Sequence, residues 1–320
     1  MLHCFQYNAR FAFDLTPLDV VAARLRALSP GTRAVLLMLC TVICFAVLET
    51  TGKYLSLFYP VPEVVWARYT VHLVLMLAIF GPRLRLGLVR TARPAGQLFR
   101  AALLLGSTLC NFAALSFLPL AEVKAISFVS PLLVAIFAVW LLHEHVSWDK
   151  WLAVIVGFLG VLFIVRTGSA MLTWASALAL GTALCYSLYQ IMTRRISEDE
   201  DPLTTLFYTA LVGFLVMSLV MPFLWVAPSV EHLPLMLLLG TMGACGHFLL
   251  IKALELERAS ALSPLGYTQL LWVTLLGYLV FGDLPDPHAV IGMGIIVGSG
   301  LYVAWGHRAR RLEEPDSAIE

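Results

Sequence analysis

The sequence has few charged residues: they make up 13% of its 320 residues, whereas 60% are hydrophobic. An ordinary soluble domain is about one-quarter charged and about half apolar. A soluble core of this size could not bury so much apolar side chain, so the composition excludes an ordinary water-soluble protein. The 21 basic and 20 acidic residues nearly balance, and the net charge therefore indicates no nucleic-acid partner.

The chain also lacks the motifs of several enzyme classes. It has no GxxxxGK[ST] motif for ATP hydrolysis, and neither GxSxG nor HExxH. Its six cysteines show no CxxC spacing, and five of them lie in apolar runs, which favours packing over disulfides or metal binding. His143 and His145 form an HxH pair without further ligands. We therefore predict no metal site and no cofactor.

What the sequence has instead is a series of long apolar runs. A spanning helix needs about twenty apolar residues, and runs of this kind are separated here by charges, proline and glycine. They predict an all-α integral membrane protein with ten transmembrane helices. The predicted spans are 34–56, 62–81, 97–117, 121–142, 150–166, 171–193, 203–224, 232–253, 259–281 and 288–306.

The distribution of basic residues predicts the orientation of these spans. The apolar run that follows residues 1–33 is too long for a signal peptide and has no small-residue cleavage site. We therefore interpret residues 1–33 as a cytoplasmic tail. Residues 307–320 form the second tail. Placing the N-terminus inside puts 17 of the 21 Lys and Arg residues on the cytoplasmic side. We expect a multi-pass protein of the cell inner membrane with both termini in the cytoplasm.

The two halves of the sequence resemble each other. Residues 121–165 and 259–303 each contain an aromatic-rich helix, an acidic residue at its end (Glu144 or Asp283) and a glycine-rich helix. Because each half has five helices, an odd number, the halves lie in opposite orientations. Inverted repeats of this kind suit alternating access around a site near the midplane of the membrane. The two predicted five-helix repeats are residues 34–166 and 171–306.

Several stretches have an order and spacing that match a known family. They are YPVPEVVWARY (59–69), LPLAEVKAISFVSPLLVAI (118–136), LLHEHVSW (141–148), VGFLGVLFIV (156–165), ALSPLGYTQLLW (261–272) and FGDLPDP (281–287). Through them the chain resembles the EamA type of the drug/metabolite transporter superfamily across residues 34–306. The resemblance implies a metabolite carrier with a central cavity lined by helices 1–4 and 6–9. Cargo differs between branches of the family, and S-adenosylmethionine, riboflavin, amino acids and drugs are the alternatives.

Ionisable residues inside spanning helices are costly, so each is a functional candidate. In the first span, Glu49 and Lys53 lie four residues apart, which makes an ion pair between them geometrically available. We interpret Glu49 as a site for proton coupling or for a substrate amine. The alternative is a structural pair near the outer membrane interface.

The second span contains a similar set of polar side chains. Arg68 and His72 lie four residues apart, with Tyr69 beside them. The fork of Arg68 suits a substrate carboxylate or phosphate, or equally a bond to Glu49. His72 could titrate during transport, although buried histidines often bond only a neighbouring carbonyl.

Amide, phenol, indole and imidazole groups are spread over the later spans. Tyr186 and Gln190 share one helix face. Such a set suits the binding of a ring or of a polar metabolite, and interhelical bonding or interfacial anchoring is the alternative for each member. The candidates are Asn111, Tyr186, Tyr189, Gln190, His247, Tyr267, Gln269 and Trp272. Glu122 and Lys124 lie at the outer start of the fourth span, where we place a cavity mouth.

Four residues near helix ends suggest a structural or gating role. Glu144 and Asp283 end equivalent helices on opposite sides of the membrane. Their carboxylates could accept backbone N–H bonds from the next helix. Pro131 and Pro264 lie near the starts of the fourth and ninth helices, where they could kink the chain and permit rocking.

Together these features favour a secondary transporter that moves a small polar or zwitterionic metabolite by alternating access, with proton coupling through Glu49. Export and uptake fit equally. An intramembrane enzyme and a membrane scaffold are the alternatives, but the first lacks a nucleophile–base set and the second does not need an inverted repeat. The expected partners are a small-molecule substrate and the lipid bilayer. The glycines of a GxxxG motif, Gly294 and Gly298, suit either a homodimer or packing within one bundle.

Overall fold

The computed structural model describes residues 28–142, 173–196, 200–256 and 265–299, together with residue 262 and scattered positions between 148 and 163. Most of the N-terminal tail, the whole C-terminal tail and most of the predicted fifth span lie outside the described residues. Glu144 and Pro264, from the predicted helix-end set, also lie outside them.

The described chain consists of long apolar helices joined by short connections. Among the described residues, six helices are long and apolar enough to cross a membrane, and shorter apolar helices include Thr268–Phe281 and Pro287–Ser299. The predicted all-helical membrane fold class is thereby confirmed. The helices are α1 Pro30–Leu55, α2 Val61–Leu84, α3 Pro94–Leu115, α4 Leu120–Ser127, α5 Ser130–Leu142, α6 Trp174–Ile196, α7 Pro202–Leu224, α8 Leu233–Leu256, α9 Thr268–Phe281 and α10 Pro287–Ser299.

Proline residues set the starts of several helices. Pro30, Pro94 and Pro202 are each the first residue of a long helix, a position that needs no backbone N–H. The Asp201 carboxylate accepts a bond of 2.7 Å from the backbone N–H of Leu203 at the start of α7. The observed starts therefore follow from local chemistry.

The predicted span 121–142 is not one continuous helix. It divides into α4 and α5 at Phe128 and Val129. Pro131, the second residue of α5, has no backbone N–H and disfavours helical geometry in the residue before it. The Val129 N–H bonds the carbonyl of Ile126, three residues back, at 3.1 Å, which tightens the chain at the break. The prediction of a single helix is therefore corrected to two.

Glycines allow helix α8 to lie close to α1 and α2. A Cβ added at Gly240 would lie 2.3 Å from Val71 Cβ, and one at Gly246 would lie 2.6 Å from the Phe45 ring. Helix α1 packs most extensively against α8, and α3 against α6, so the two halves are in contact along their helices. The two glycines of the GxxxG motif on α10 have nothing described within 4 Å of an added Cβ, and the homodimer stays a prediction.

The outer surface of the bundle is apolar. Leu219, Phe223 and Leu271 are 72–84% exposed. Apolar side chains exposed to this extent around a whole helical bundle indicate contact with lipid. The chain is accordingly a multi-pass membrane protein.

Glu200, which precedes α7, binds the connection between α2 and α3. Its Oε1 accepts hydrogen bonds from Thr91 Oγ1 at 2.6 Å and from the backbone N–H groups of Ala92 and Arg93, both at 2.9 Å. Its Oε2 accepts a bond from Gln97 Nε2 at 3.2 Å. Burial raises the pKa of the Glu200 carboxyl, but these four bonds outweigh it and hold the pKa below its ordinary value of 4.5.

We expect Glu200→Gln to lower the free energy of unfolding by about 1–2 kcal/mol at neutral pH, because an amide replaces one acceptor oxygen with a donor. The folded-state pKa is depressed, so the carboxylate stabilises the fold above its ordinary pKa and ceases to do so as the pH falls through the folded-state pKa. Thermal unfolding in detergent should distinguish the variant from the wild type at pH 7, and the difference should shrink in acid. A difference that does not change with pH would contradict the assignment, and the exposed Glu231→Gln is the control.

Candidate functional site

A cavity of about 270 Å³ lies between the two halves of the bundle. Its lining combines polar and aromatic side chains from both halves, as expected for a site between inverted repeats. Residues of α1, α3 and α4 form one part of the wall, and residues of α6, α8 and the start of α9 form another. The polar and aromatic lining residues are Thr41, Phe45, Glu49, Arg68, Ser107, Thr108, Asn111, Phe112, Lys124, Ser127, Phe128, Ser130, Thr182, Tyr186, Gln190, His247, Tyr267 and Gln269.

Glu49 bonds residues of both halves. Its Oε1 lies 2.8 Å from Lys124 Nζ, and its Oε2 accepts a bond of 3.2 Å from Gln269 Nε2. The Glu49 side chain is 11% exposed and that of Lys124 16%. An ion pair withdrawn from solvent to this degree is sensitive to loss of either partner, because the remaining charge would be buried alone.

Arg68 projects from α2 into the cavity. Its Nη1 donates to Thr108 Oγ1 at 2.7 Å, and its Nη2 lies 3.4 Å from His247 Nε2. Since a guanidinium can only donate, His247 accepts through Nε2, and its ring is neutral in this arrangement. Among the residues that the structure describes, no carboxylate forms an ion pair with Arg68. This permanent positive charge therefore offers a site for an anionic group.

The charges in the cavity do not cancel. Glu49 is the negative residue in the described lining, whereas Lys124 and Arg68 are positive. Lys124 is already paired with Glu49, and the uncompensated charge is that of Arg68. The cavity therefore favours a ligand with at least one negative group.

The structure brings many of the predicted binding residues together. Eight of them line the cavity: Glu49, Arg68, Asn111, Tyr186, Gln190, His247, Tyr267 and Gln269. They converge although they come from six segments of the chain. Polar groups in spanning helices avoid lipid, and a cavity between the helices is one place where they can do so.

Two predicted residues lie one layer behind the cavity. Tyr69 is buried and its phenol hydroxyl lies 3.0 Å from Thr108 Oγ1, so it supports the same threonine that Arg68 contacts. His72 is fully buried, and its ring stacks on that of His247 with 6.3 Å between centroids. Neither ring nitrogen of His72 has a hydrogen-bond partner among the described residues.

The remaining predicted binding residues lie away from the cavity wall. Tyr189 stacks on Tyr186 with 5.7 Å between ring centroids, and it faces Arg100. Trp272 is 37% exposed on α9, which suits anchoring at the surface. Lys53 lies at the end of α1.

Lys53 and Glu49 have separate partners in the structure. Lys53 Nζ lies 2.9 Å from Asp283 Oδ2 and donates to the carbonyl of Leu118 at 3.1 Å. The Glu49 carboxylate faces the cavity instead. The available Glu49–Lys53 pair is thus replaced by two pairs between distant parts of the chain, Glu49–Lys124 and Lys53–Asp283, and Asp283 lies in the connection between α9 and α10. Lys53, Leu118 and Asp283 join the two halves at what we term the Lys53 end of the bundle.

Local spacing does not identify several important side chains. It places Lys124 only at a cavity mouth, and it does not single out Thr108, three residues before Asn111 on the same helix face. The 17 basic residues that the sequence predicts on the cytoplasmic side include Arg100, but Arg100 is fully buried in α3, where it donates to Thr209 Oγ1 at 2.6 Å. Its position within the predicted span 97–117 is the sequence signal for this burial.

Comparisons with known proteins point to one family. The profile of the EamA-like transporter family matches residues 32–166 and again residues 173–305. The "S-adenosylmethionine uptake transporter" of Rickettsia prowazekii (strain Madrid E) is 27% identical over 230 residues, which are 72% of this chain and 78% of the relative. The "Riboflavin transporter" of Vibrio cholerae is 28% identical over 286 residues, covering 86% of this chain and 94% of the relative.

A solved structure has the same fold. It superposes with a TM-score of 0.65 and covers 88% of this chain and 99% of its own, at 18% sequence identity. At that identity the likeness concerns the fold alone. The helical arrangement that surrounds the cavity is therefore also found in a crystal structure.

Proposed function

Because this chain belongs to the EamA-like transporter family, we propose that it carries a small zwitterionic metabolite with a ring across the cell inner membrane. The observation that carries this proposal is Arg68, a permanent cation in the cavity wall without a carboxylate partner among the described residues. Its fork suits a substrate carboxylate. Glu49 can accept a cationic group of the same substrate in place of Lys124.

S-adenosylmethionine is the first cargo to test. It has a carboxylate for Arg68, cationic groups for Glu49 and an adenine ring for the aromatic wall. The relatives from Rickettsia that carry this compound in their names support the choice. Riboflavin is the second candidate, and it is supported by the relative from Vibrio cholerae and by the aromatic side chains. Arg68 disfavours it, because a ligand without an anionic group would leave the buried guanidinium without a carboxylate partner.

The two halves must separate at one end of the bundle at a time if transport follows alternating access. In the structure they are joined at both ends. Lys53 of the first half bonds Asp283 of the second at the Lys53 end, and Glu200 of the second half bonds Gln97 of the first near the opposite ends of the helices. These two contacts are the proposed gates. The predicted excess of Lys and Arg at the opposite end of the bundle supports an orientation with the Lys53 end outside the cell and both termini inside.

Family and relatives favour transport over an intramembrane enzyme or a membrane scaffold. Within transport, Glu49 is the proposed coupling residue. Its carboxylate faces Lys124 and Gln269, so a proton or a substrate cation would compete with Lys124 for it. A single residue would then connect ion binding with substrate binding.

Labelled S-adenosylmethionine should accumulate in, or be expelled faster from, cells that express the wild type. Glu49→Gln is expected to reduce that flux about tenfold or more and to remove its dependence on external pH, because the amide can neither titrate nor hold a cation. The exposed Glu231→Gln is the control and should transport normally. Flux and pH dependence that persist in Glu49→Gln would reject the coupling role. Absence of any flux with folded wild type would reject this cargo.

A further inference from the structure

The lining of the cavity contains two segments that occupy equivalent positions in the two repeats. Residues 41–49 read TVICFAVLE, and residues 182–190 read TALCYSLYQ. The two family matches begin at residues 32 and 173, and this spacing aligns the segments position by position. Thr41 then corresponds to Thr182 and Phe45 to Tyr186, and all four side chains line the cavity.

A second pair of segments corresponds in the same way. The family matches end at residues 166 and 305, and this spacing aligns residues 127–130 (SFVS) with residues 266–269 (GYTQ). Phe128 and Tyr267 are then equivalent, and their ring centroids lie 5.1 Å apart. The two rings meet where the repeats face each other.

Hydrogen bonds follow the same correspondence. Gln269 Nε2 bonds Glu49 Oε2 at 3.2 Å, and Gln190 Nε2 bonds Ser130 Oγ at 3.5 Å. Glu49 corresponds to Gln190, and Ser130 corresponds to Gln269. Each contact is thus the image of the other under exchange of the repeats, and the cavity has approximate two-fold symmetry.

Charge breaks this symmetry. Arg68, Glu49 and Lys124 all belong to the first repeat. In the second repeat the position of Glu49 is occupied by Gln190, and Tyr186 adds a phenol beside it. His247, also of the second repeat, is neutral where it accepts a bond from Arg68. In the described part of the lining all three charges therefore come from the first repeat, which also supplies Phe45, Phe112 and Phe128. The second repeat supplies uncharged polar and aromatic side chains.

We propose that the cavity holds its substrate in a single orientation, with the charged amino-acid-like end on Arg68 and Glu49 and the uncharged ring on Tyr186 and Gln190. This inference rests on the proposed function and adds which residues select each end of the cargo. A charged group leaves water at low cost only where opposite charge replaces its hydration. A ring gains from the Tyr186 phenol and from the amide of Gln190, which can bond the heteroatoms at its edge.

The rigid surroundings of Tyr186 support its role as the ring site. Its phenol stacks on Tyr189, and the planes are inclined by 23°. Tyr189 in turn packs beneath the guanidinium of Arg100, 5.0 Å from its ring. An aromatic surface held in this way loses little freedom when a ring binds to it.

The binding of each end of the proposed substrate can be tested with a fragment of it. Methionine represents the charged end, and adenosine represents the ring. Apparent affinities are measured on the purified protein in nanodiscs from the rise in thermal midpoint with fragment concentration. We expect Arg68→Gln to reduce the affinity for methionine about tenfold or more and the affinity for adenosine by less than about twofold. Tyr186→Ala should show the reverse pattern, and Tyr186→Phe, which keeps the ring, should retain most adenosine binding.

Each outcome decides between the orientation and its alternatives. The single orientation would be overturned if both variants reduced the affinities for methionine and adenosine equally. It would also be overturned if Arg68→Gln reduced the affinity for adenosine and Tyr186→Ala did not. If the wild type bound neither fragment nor S-adenosylmethionine, the proposed cargo would be overturned and the orientation with it. Binding of S-adenosylmethionine without the expected separation would leave the proposed function in place and reject only this inference.

Discussion

Replacing Arg68 with glutamine should reduce transport of a carboxylate-bearing substrate by about 100-fold or more. The guanidinium is the uncompensated cation of the cavity wall, and it is positioned by Thr108 and His247. A neutral amide would remove both the charge and the two-pronged geometry. Flux of the labelled substrate into proteoliposomes measures the effect directly.

In the same assay, Arg68→Lys tests the contribution of the positive charge separately from that of the two parallel donors of the guanidinium. A lysine keeps the positive charge but cannot bond a carboxylate through two parallel donors, so we expect a loss of roughly tenfold. Arg195→Gln removes a charge from an exposed position at the end of α6 and should leave flux unchanged. Normal transport by Arg68→Gln would show that the substrate anion binds elsewhere.

The helices could be predicted from the sequence because lipid imposes a simple rule on it. A spanning segment must be apolar for about twenty residues, and the six long apolar helices overlap predicted spans closely. The apolar count predicts one continuous helix over 121–142 and does not register the break at Phe128 and Val129. The break lies just before Pro131, where the sequence predicts a kink.

The polar members of the site could be predicted for a related reason. A polar side chain in a spanning helix must avoid lipid, and this places Glu49, Arg68 and Gln269 inside the bundle. Whether such a residue faces a cavity or a helix contact depends on its neighbours in space. His72 and Asn111 are both polar residues in apolar runs, yet the first is buried behind His247 and the second lines the cavity.

The partners of the charges could not be predicted from local spacing. Glu49 and Lys53 suit an ion pair on one helix, yet each bonds a residue far away in the chain. Lys124 is 75 residues from Glu49, and Asp283 is 230 residues from Lys53. The helix packing that decides these pairs is set by glycines and by the repeat, which local spacing does not include.

Substitution of Gly240 tests that packing. A methyl group there would lie 2.3 Å from Val71 Cβ and 3.0 Å from the carbonyl of Arg68, and neither atom belongs to the flexible end of a side chain. Alanine would gain up to about 1 kcal/mol in helix propensity. Overpacking costs about 1–3 kcal/mol, and more where backbone must move, so we expect Gly240→Ala to lower the free energy of unfolding by about 2 kcal/mol.

The matched control for Gly240→Ala lies on the outer face of α10. Gly294→Ala puts its methyl group where nothing described lies within 4 Å, so helix propensity should prevail and thermal stability in detergent should stay equal or rise. In Gly240→Ala, helix α8 must move away from α2, and His247 moves with it from Arg68. Loss of substrate binding should therefore accompany the loss of stability. Unchanged stability would show that α8 and α2 do not pack this closely.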